Sequence, residues 1–194
     1  MTRTWAELVK VSFLRPREAA RRILGMAFGP NELLQLALVV TCVGIVLAVA
    51  ATRIGGGQID GVASWMLDRP LIGALVEFGL LGVVAVLTHR IGLLFGGKGT
   101  FWDTLTLIVW LNAVMLVLQV VQLVALLALP PLATPIAFFT VLWGLWAFAN
   151  FVAELHGFDN PVMVMGGVIL TTIVLFIGLA MIFAILGLAP QVGT

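Results

Sequence analysis

Apolar positions in this chain come in runs, not stripes. Five stretches, at about 33–52, 71–87, 104–129, 132–153 and 162–188, carry hardly a charge. Each is close to the roughly 20 residues a helix needs to cross the hydrocarbon of a bilayer. The gaps hold helix stops: Gly55-Gly56-Gly57 with Asp60, Gly96-Gly97-Lys98-Gly99, Pro130-Pro131, and Gly157-Phe158-Asp159-Asn160-Pro161. Helices satisfy their own backbone hydrogen bonds, which lipid cannot do for them, and the alternation that a membrane barrel requires is missing. The pattern predicts an all-α integral membrane protein with five transmembrane helices in one bundle.

Ahead of the first run the pattern changes to a helical stripe. Trp5, Leu8, Val9 and Phe13 recur at helical spacing, and a second segment opening at Pro16 places Ala20, Ile23, Leu24 and Ala27 on one face with Arg17, Glu18, Arg21 and Arg22 mostly opposite. An apolar stripe backed by arginines suits a helix in the headgroup layer, its cations near anionic lipid. The expected organisation is therefore a basic amphipathic segment at 1–30, a five-span membrane domain at 31–189 and a short tail at 190–194. Ala48-Val49-Ala50 resembles a signal-peptide cleavage site, but its apolar run begins too late and is long enough to span, so retention is expected.

Composition agrees: 62% of residues are hydrophobic, 10% are charged and the mean hydropathy is +1.19, outside the soluble globular range. A net charge of +1 gives no reason to expect nucleic-acid binding. The distribution of charge matters more. With five spans, Arg3, Lys10, Arg15, Arg17, Arg21, Arg22, Arg90 and Lys98 share one side, leaving Arg53 and Arg69 on the other. Basic excess marks the cytoplasmic face, which predicts N-terminus inside and C-terminus outside in a bacterial inner membrane. Cys42 is the single cysteine, so no internal disulfide can form.

One stretch invites a nucleotide. GLLFGGKGT (92–100) has Gly92 and Gly97-Lys98 at phosphate-loop spacing, but Gly99 stands where the magnesium-binding hydroxyl belongs and a membrane helix precedes it where a strand should. Thr100 and Asp103 instead form a capping-box-like start to the next helix. The stretch reads as a cytoplasmic turn.

The segment RPREAARRIL (15–24), five spans, and GGKGTFWDTL opening the third together resemble the Yip family, the Ypt/Rab-interacting type of membrane protein, in its bacterial branch. The resemblance covers about 14–188 and implies a fold and a topology. Eukaryotic members are associated with Rab GTPases and carry tyrosine-containing signatures, whereas this chain has no tyrosine.

Polar residues inside the spans supply the remaining chemistry. Glu77 lies about 12 Å along the second span from Arg69, where a carboxyl is expected to be neutral or paired. Asn112 and Gln119 share a face of the third span, with Gln122 about 60° round from Gln119; such residues serve as interhelical glue at about 0.6–2 kcal/mol each or line a polar path. Asn150, Glu154, His156 and Asp159 gather near the end of the fourth span. Two histidines without a His-x-x-x-His pair do not make a metal site. Trp143 and Trp146 are too deep in their span for simple belt residues and suit helix packing or a lipid-facing groove, and Gly167, Thr171 and Gly178 suit close helix approach. No catalytic constellation appears, and the loops are too short to build a pocket.

The sequence thus predicts a non-enzymatic scaffold, accessory or assembly component without cofactor, metal or nucleotide. Its expected partners are the bilayer, with anionic lipid at the cytoplasmic face, and a larger membrane complex or a homo-oligomer. Arg15, Arg17, Arg21, Arg22 and Lys98 are the expected docking residues. The alternative is a small transporter or channel using Glu77 and the Asn112/Gln119 stripe.

Overall fold

A computed structural model describes residues 5–56 and 62–185. Arg3, Gly57, Asp60 and the 186–194 stretch, which includes the end of the fifth apolar run and the tail, lie outside the described residues. Among the described residues eight α-helices follow one another: α1 (Trp5–Leu14), α2 (Pro16–Leu24), α3 (Pro30–Gly55), α4 (Val62–Asp68), α5 (Pro70–Leu94), α6 (Phe101–Ala128), α7 (Ala133–His156) and α8 (Pro161–Ile185), with a 3₁₀ turn at Pro130–Leu132. No strand occurs among the described residues.

Helix starts follow local chemistry. Proline opens α2, α3, α5 and α8, where its fixed φ fits and its missing N–H would have had no partner. Asn160 caps α8, its side-chain oxygen accepting from the N–H of Val162 at 2.9 Å. At the start of α6, Thr100 Oγ1 accepts from the Asp103 N–H at 3.2 Å while the Asp103 carboxylate accepts from the Thr100 N–H at 3.4 Å, the capping box that the sequence predicts.

Four segments, α3, α5, α6 and Pro130–His156, are long and apolar enough to cross a bilayer. The fifth predicted run corresponds to α8, 25 residues long. Large aliphatic and aromatic side chains stand exposed around the bundle, among them Leu71, Leu80, Phe138, Val141 and Met163. In water such a surface would aggregate; in lipid it is the required exterior. Together these features define an all-α membrane protein.

The core is organised around α6. On one side Leu33 and Ala37 of α3 and Leu81 and Ala85 of α5 pack with Leu105, Ile108 and Val109. On the other, Leu107, Trp110, Leu111, Val114 and Leu118 meet Trp143, Ala147, Phe151 and Leu155 of α7, and here Leu8 of α1 and Ala19, Ala20 and Ile23 of α2 join the same cluster. The apolar stripes expected to face the headgroup layer therefore pack against α6 and α7. Trp5 stacks on Trp110 with ring centroids 5.5 Å apart, Phe13 lies 4.5 Å from Trp143, and Trp110 Nε1 donates to the buried Ser12 hydroxyl at 2.9 Å. Trp110 is nine residues into α6, so α1 docks about 14 Å below that end of the bundle.

The Trp110–Ser12 hydrogen bond is buried and spans 98 residues of sequence. Trp110→Phe should lower stability by about 1–2 kcal/mol and Ser12→Ala by a similar amount, with the double variant well short of the sum. Thermal unfolding in detergent across the four-member cycle measures this, and additive losses would refute the coupling.

Candidate functional site at the basic end of the bundle

The turn between α5 and α6, the end of α7 and helix α2 converge on one end of the bundle. The glycine-rich stretch has two structural tasks there. Gly96 takes a left-handed φ of 82°, its N–H returns to the Leu93 carbonyl at 3.0 Å and that of Gly97 to Gly92 at 2.9 Å, which closes α5 with the paired bonds of a glycine C-cap. Gly92 and Gly97 also form a socket for His156: a Cβ on either would overlap the imidazole, and one on Gly99 would strike Leu155. Gly157 ends α7 in the same way as Gly96 ends α5, with φ 73°. Thus no phosphate cradle is needed to explain these glycines.

His156 is 2% exposed, and neither ring nitrogen has a hydrogen-bond partner among the described residues. Its ring stacks on Phe158 at 5.7 Å, and His89 of α5, whose Nδ1 has no partner among the described residues, lies edge-on to Phe101 at 6.2 Å. No group of three His, Cys, Asp or Glu side chains converges among the described residues.

Helix α2 is clasped to this end by its arginines. Glu154 receives Arg21 Nε at 2.8 Å and Arg17 Nε at 3.5 Å. Arg17 also donates to the carbonyls of Phe158 at 2.7 Å and Asp159 at 3.1 Å, satisfying the turn that follows α7. Arg15 and Arg22 both pair with Glu18. The Arg22 hydrogen bond, with Arg15 assisting, holds the Glu18 carboxyl below its ordinary range, and the hydrogen bond to Glu154 raises the Arg21 guanidinium. Four of the five expected docking residues are thus already engaged; Lys98 stands exposed on the turn without an ion pair among the described residues.

Of the intramembrane candidates Glu154 thus serves the clasp, and the others fall elsewhere. The Glu77 carboxylate lies in a notch left by Gly44 of α3, beside Leu116 of α6, with no hydrogen bond or ion pair among the described residues. Asn112 donates to the Ile108 carbonyl and Asn150 to that of Trp146, each four residues back in its own helix. Gln119 keeps a buried oxygen without a partner, and Gln122 is half-buried. Trp143 packs in the core as expected, Trp146 is exposed, and Gly167 meets no neighbour. A crevice about the size of one water molecule, lined by Thr88, Thr104, Phe148, Phe151 and Leu155, lies beneath the site.

Sequence reasoning missed Glu18 as the partner of two arginines, though its spacing from Arg15 and Arg22, three and four residues, was the available signal. Nothing in the sequence pairs Gly92 and Gly97 with His156.

A helical bundle with a lipid-compatible exterior and its N-terminal helices folded into the core defines a polytopic α-helical membrane protein. It belongs to the Yip1 domain family, whose model matches residues 10–187. The match includes α2, so the clasp lies within the family domain. No curated protein and no solved structure matches the chain.

Gly92→Ala or Gly97→Ala should cost about 2–3 kcal/mol by overpacking the socket, and His156→Ala in the same chain should restore much of the loss. Melting curves of the single and double variants decide it, since no recovery would mean the glycines do not serve the histidine. Glu18, with its pKa lowered on folding, contributes stability that is complete above the usual carboxylate range and lost as pH falls through its folded value. Amide exchange across 16–24, corrected for intrinsic rates, should stay level down to about pH 5 and rise below about pH 4.

Proposed function

We propose that the chain is a non-enzymatic component of a bacterial inner membrane, N-terminus inside and C-terminus outside, that acts as a scaffold or accessory subunit through contacts with other membrane proteins and lipid. The observation that carries this reading is how the charged side chains at the basic end are used. Arg17 and Arg21 fix α2 to the end of α7 through Glu154, Phe158 and Asp159, while the glycine socket fixes the α5–α6 turn to the same place. The product is a firm basic face above a crevice too small for a substrate. A preorganised surface of this kind can be bound with little rearrangement.

Gentle extraction followed by mass spectrometry of co-purifying proteins tests it. A defined partner should be recovered in stoichiometric amount, and Arg17→Gln, Arg21→Gln and Arg22→Gln together should cut that recovery at least about tenfold, a loss of about 1.4 kcal/mol. Recovery of the chain alone would overturn the reading.

Glu77 supports a second reading, a small transporter or channel. Its carboxylate sits within the spans against Gly44 without a hydrogen-bond partner among the described residues, and the Asn112/Gln119 face, which includes Leu116, adjoins it. On that reading Glu77→Gln abolishes ion or proton flux in reconstituted vesicles while the protein remains folded. Flux equal to wild type would remove it.

A further inference from the structure

Arginines in this protein are almost all engaged. Of those described, Arg15, Arg17, Arg21, Arg22 and Arg53 form ion pairs, and Arg69 lies over the ring of Trp65. Arg90 alone among them makes no ion pair, side-chain hydrogen bond or ring contact, and it is exposed. Its surroundings are not those of a solvated surface. Val83, Val86, Leu93 and Leu94 share its side of α5, and they are exposed by 53%, 45%, 43% and 84%. Positions 83, 86, 90, 93 and 94 follow helical spacing, so the cation stands within an apolar stripe on the outside of the bundle.

Two positions without side chains lie immediately below on this side of α5. Gly79 and Gly82 lie on it, and a Cβ on either would meet nothing within 4 Å. From Gly79 to Leu94 the helix rises about 22 Å, enough to follow an acyl chain through one leaflet of a core about 30 Å thick. Above Arg90 the α5–α6 turn carries exposed Phe95 and the exposed, unpaired Lys98, and the His156 socket holds that turn in place.

We propose that Arg90, with Lys98, binds the phosphate of an anionic phospholipid whose acyl chain lies along the Gly79–Gly82–Val86 groove of α5. An unpaired guanidinium on a lipid-facing stripe one turn inside a helix end reaches toward the headgroups while its methylenes stay in hydrocarbon. Its planar fork of donors fits phosphate oxygens. An acidic protein segment would fit the cation but leave the groove unused. The inference rests on the proposed placement of this end at the cytoplasmic leaflet, and it adds a lipid site separate from the clasp arginines.

Native mass spectrometry of the full chain, released from bilayers of equal phosphatidylglycerol and phosphatidylcholine with identical acyl chains, tests the site. Wild type should retain phosphatidylglycerol in preference to phosphatidylcholine. Arg90→Gln should lower phosphatidylglycerol retention about fivefold, the worth of one cation near the membrane surface. Arg90→Lys should keep part of that retention, and Arg53→Gln, which removes a cation paired to Asp68 beyond the opposite end of α5, should leave it unchanged. Gly82→Leu fills the groove while sparing Arg90 and should reduce retention as well. Equal retention of both lipids by wild type, or undiminished phosphatidylglycerol on folded Arg90→Gln, would overturn the site. Displacement of the lipid by millimolar inorganic phosphate would show a soluble-anion site and overturn the lipid assignment. Partner recovery is read separately, so a chain that binds no protein yet retains phosphatidylglycerol fails only the scaffold reading.

Discussion

The contact on which the arrangement of this bundle depends is the seating of the His156 ring against the backbone of Gly92 and Gly97. Two helix ends and one helix beginning meet there, and no side chain but hydrogen leaves room for the imidazole. Because Gly97 lies three residues before the Thr100 cap, the same contact sets where α6 can start, and α6 is the helix around which both core clusters form. The turn closes its backbone hydrogen bonds locally, through the Gly96 and Gly97 amides and the Thr100–Asp103 box.

Polar side chains in the apolar segments follow a related economy of short reach. Thr41, Thr106, Asn112, Thr140 and Asn150 all bond to carbonyls of their own helices, four residues back. Such bonds satisfy the group without fixing a neighbour, so the bundle's specificity comes from shape and from its ends. Charge pairs between segments distant in sequence cluster at one end, where Arg17 and Arg21 meet Glu154 across more than a hundred residues. There partial solvation keeps the cost of burying charge low.

The fold was legible where one physical signal dominates. Unbroken apolar runs and glycine or proline punctuation located the described ends of the long helices to within about three residues, except that α5 runs on to Leu94, seven residues past the expected end at Leu87, and Thr100 with Asp103 announced the start of α6 because capping is a matter of four adjacent residues. What could not be read was any pairing that depends on tertiary geometry. The stripe of Trp5, Leu8 and Phe13 has one chemistry whether it faces headgroups or Trp110 and Trp143, and amphipathic pattern alone does not choose. Asn112 and Gln119 were visible as polar residues on one face, yet whether each bonds within its helix or across to another depends on rotamers that sequence does not encode. Gly92, Gly97 and His156 are separated by some sixty residues, and a glycine carries no mark of the ring that it accommodates.

The clasp also imposes an order of events during synthesis. Ser12 waits for Trp110, Phe13 for Trp143 and Arg17 for Asp159, separations of 98, 130 and 142 residues. At about 5–20 residues per second the ribosome needs roughly 5–30 s to deliver those partners. During that interval the first two helices leave the tunnel with their apolar faces uncovered, while the long helices enter the bilayer behind them. The earliest-made part of the molecule therefore finds its place only after α6 and α7 have been made, and its docking marks a bundle in which both have arrived.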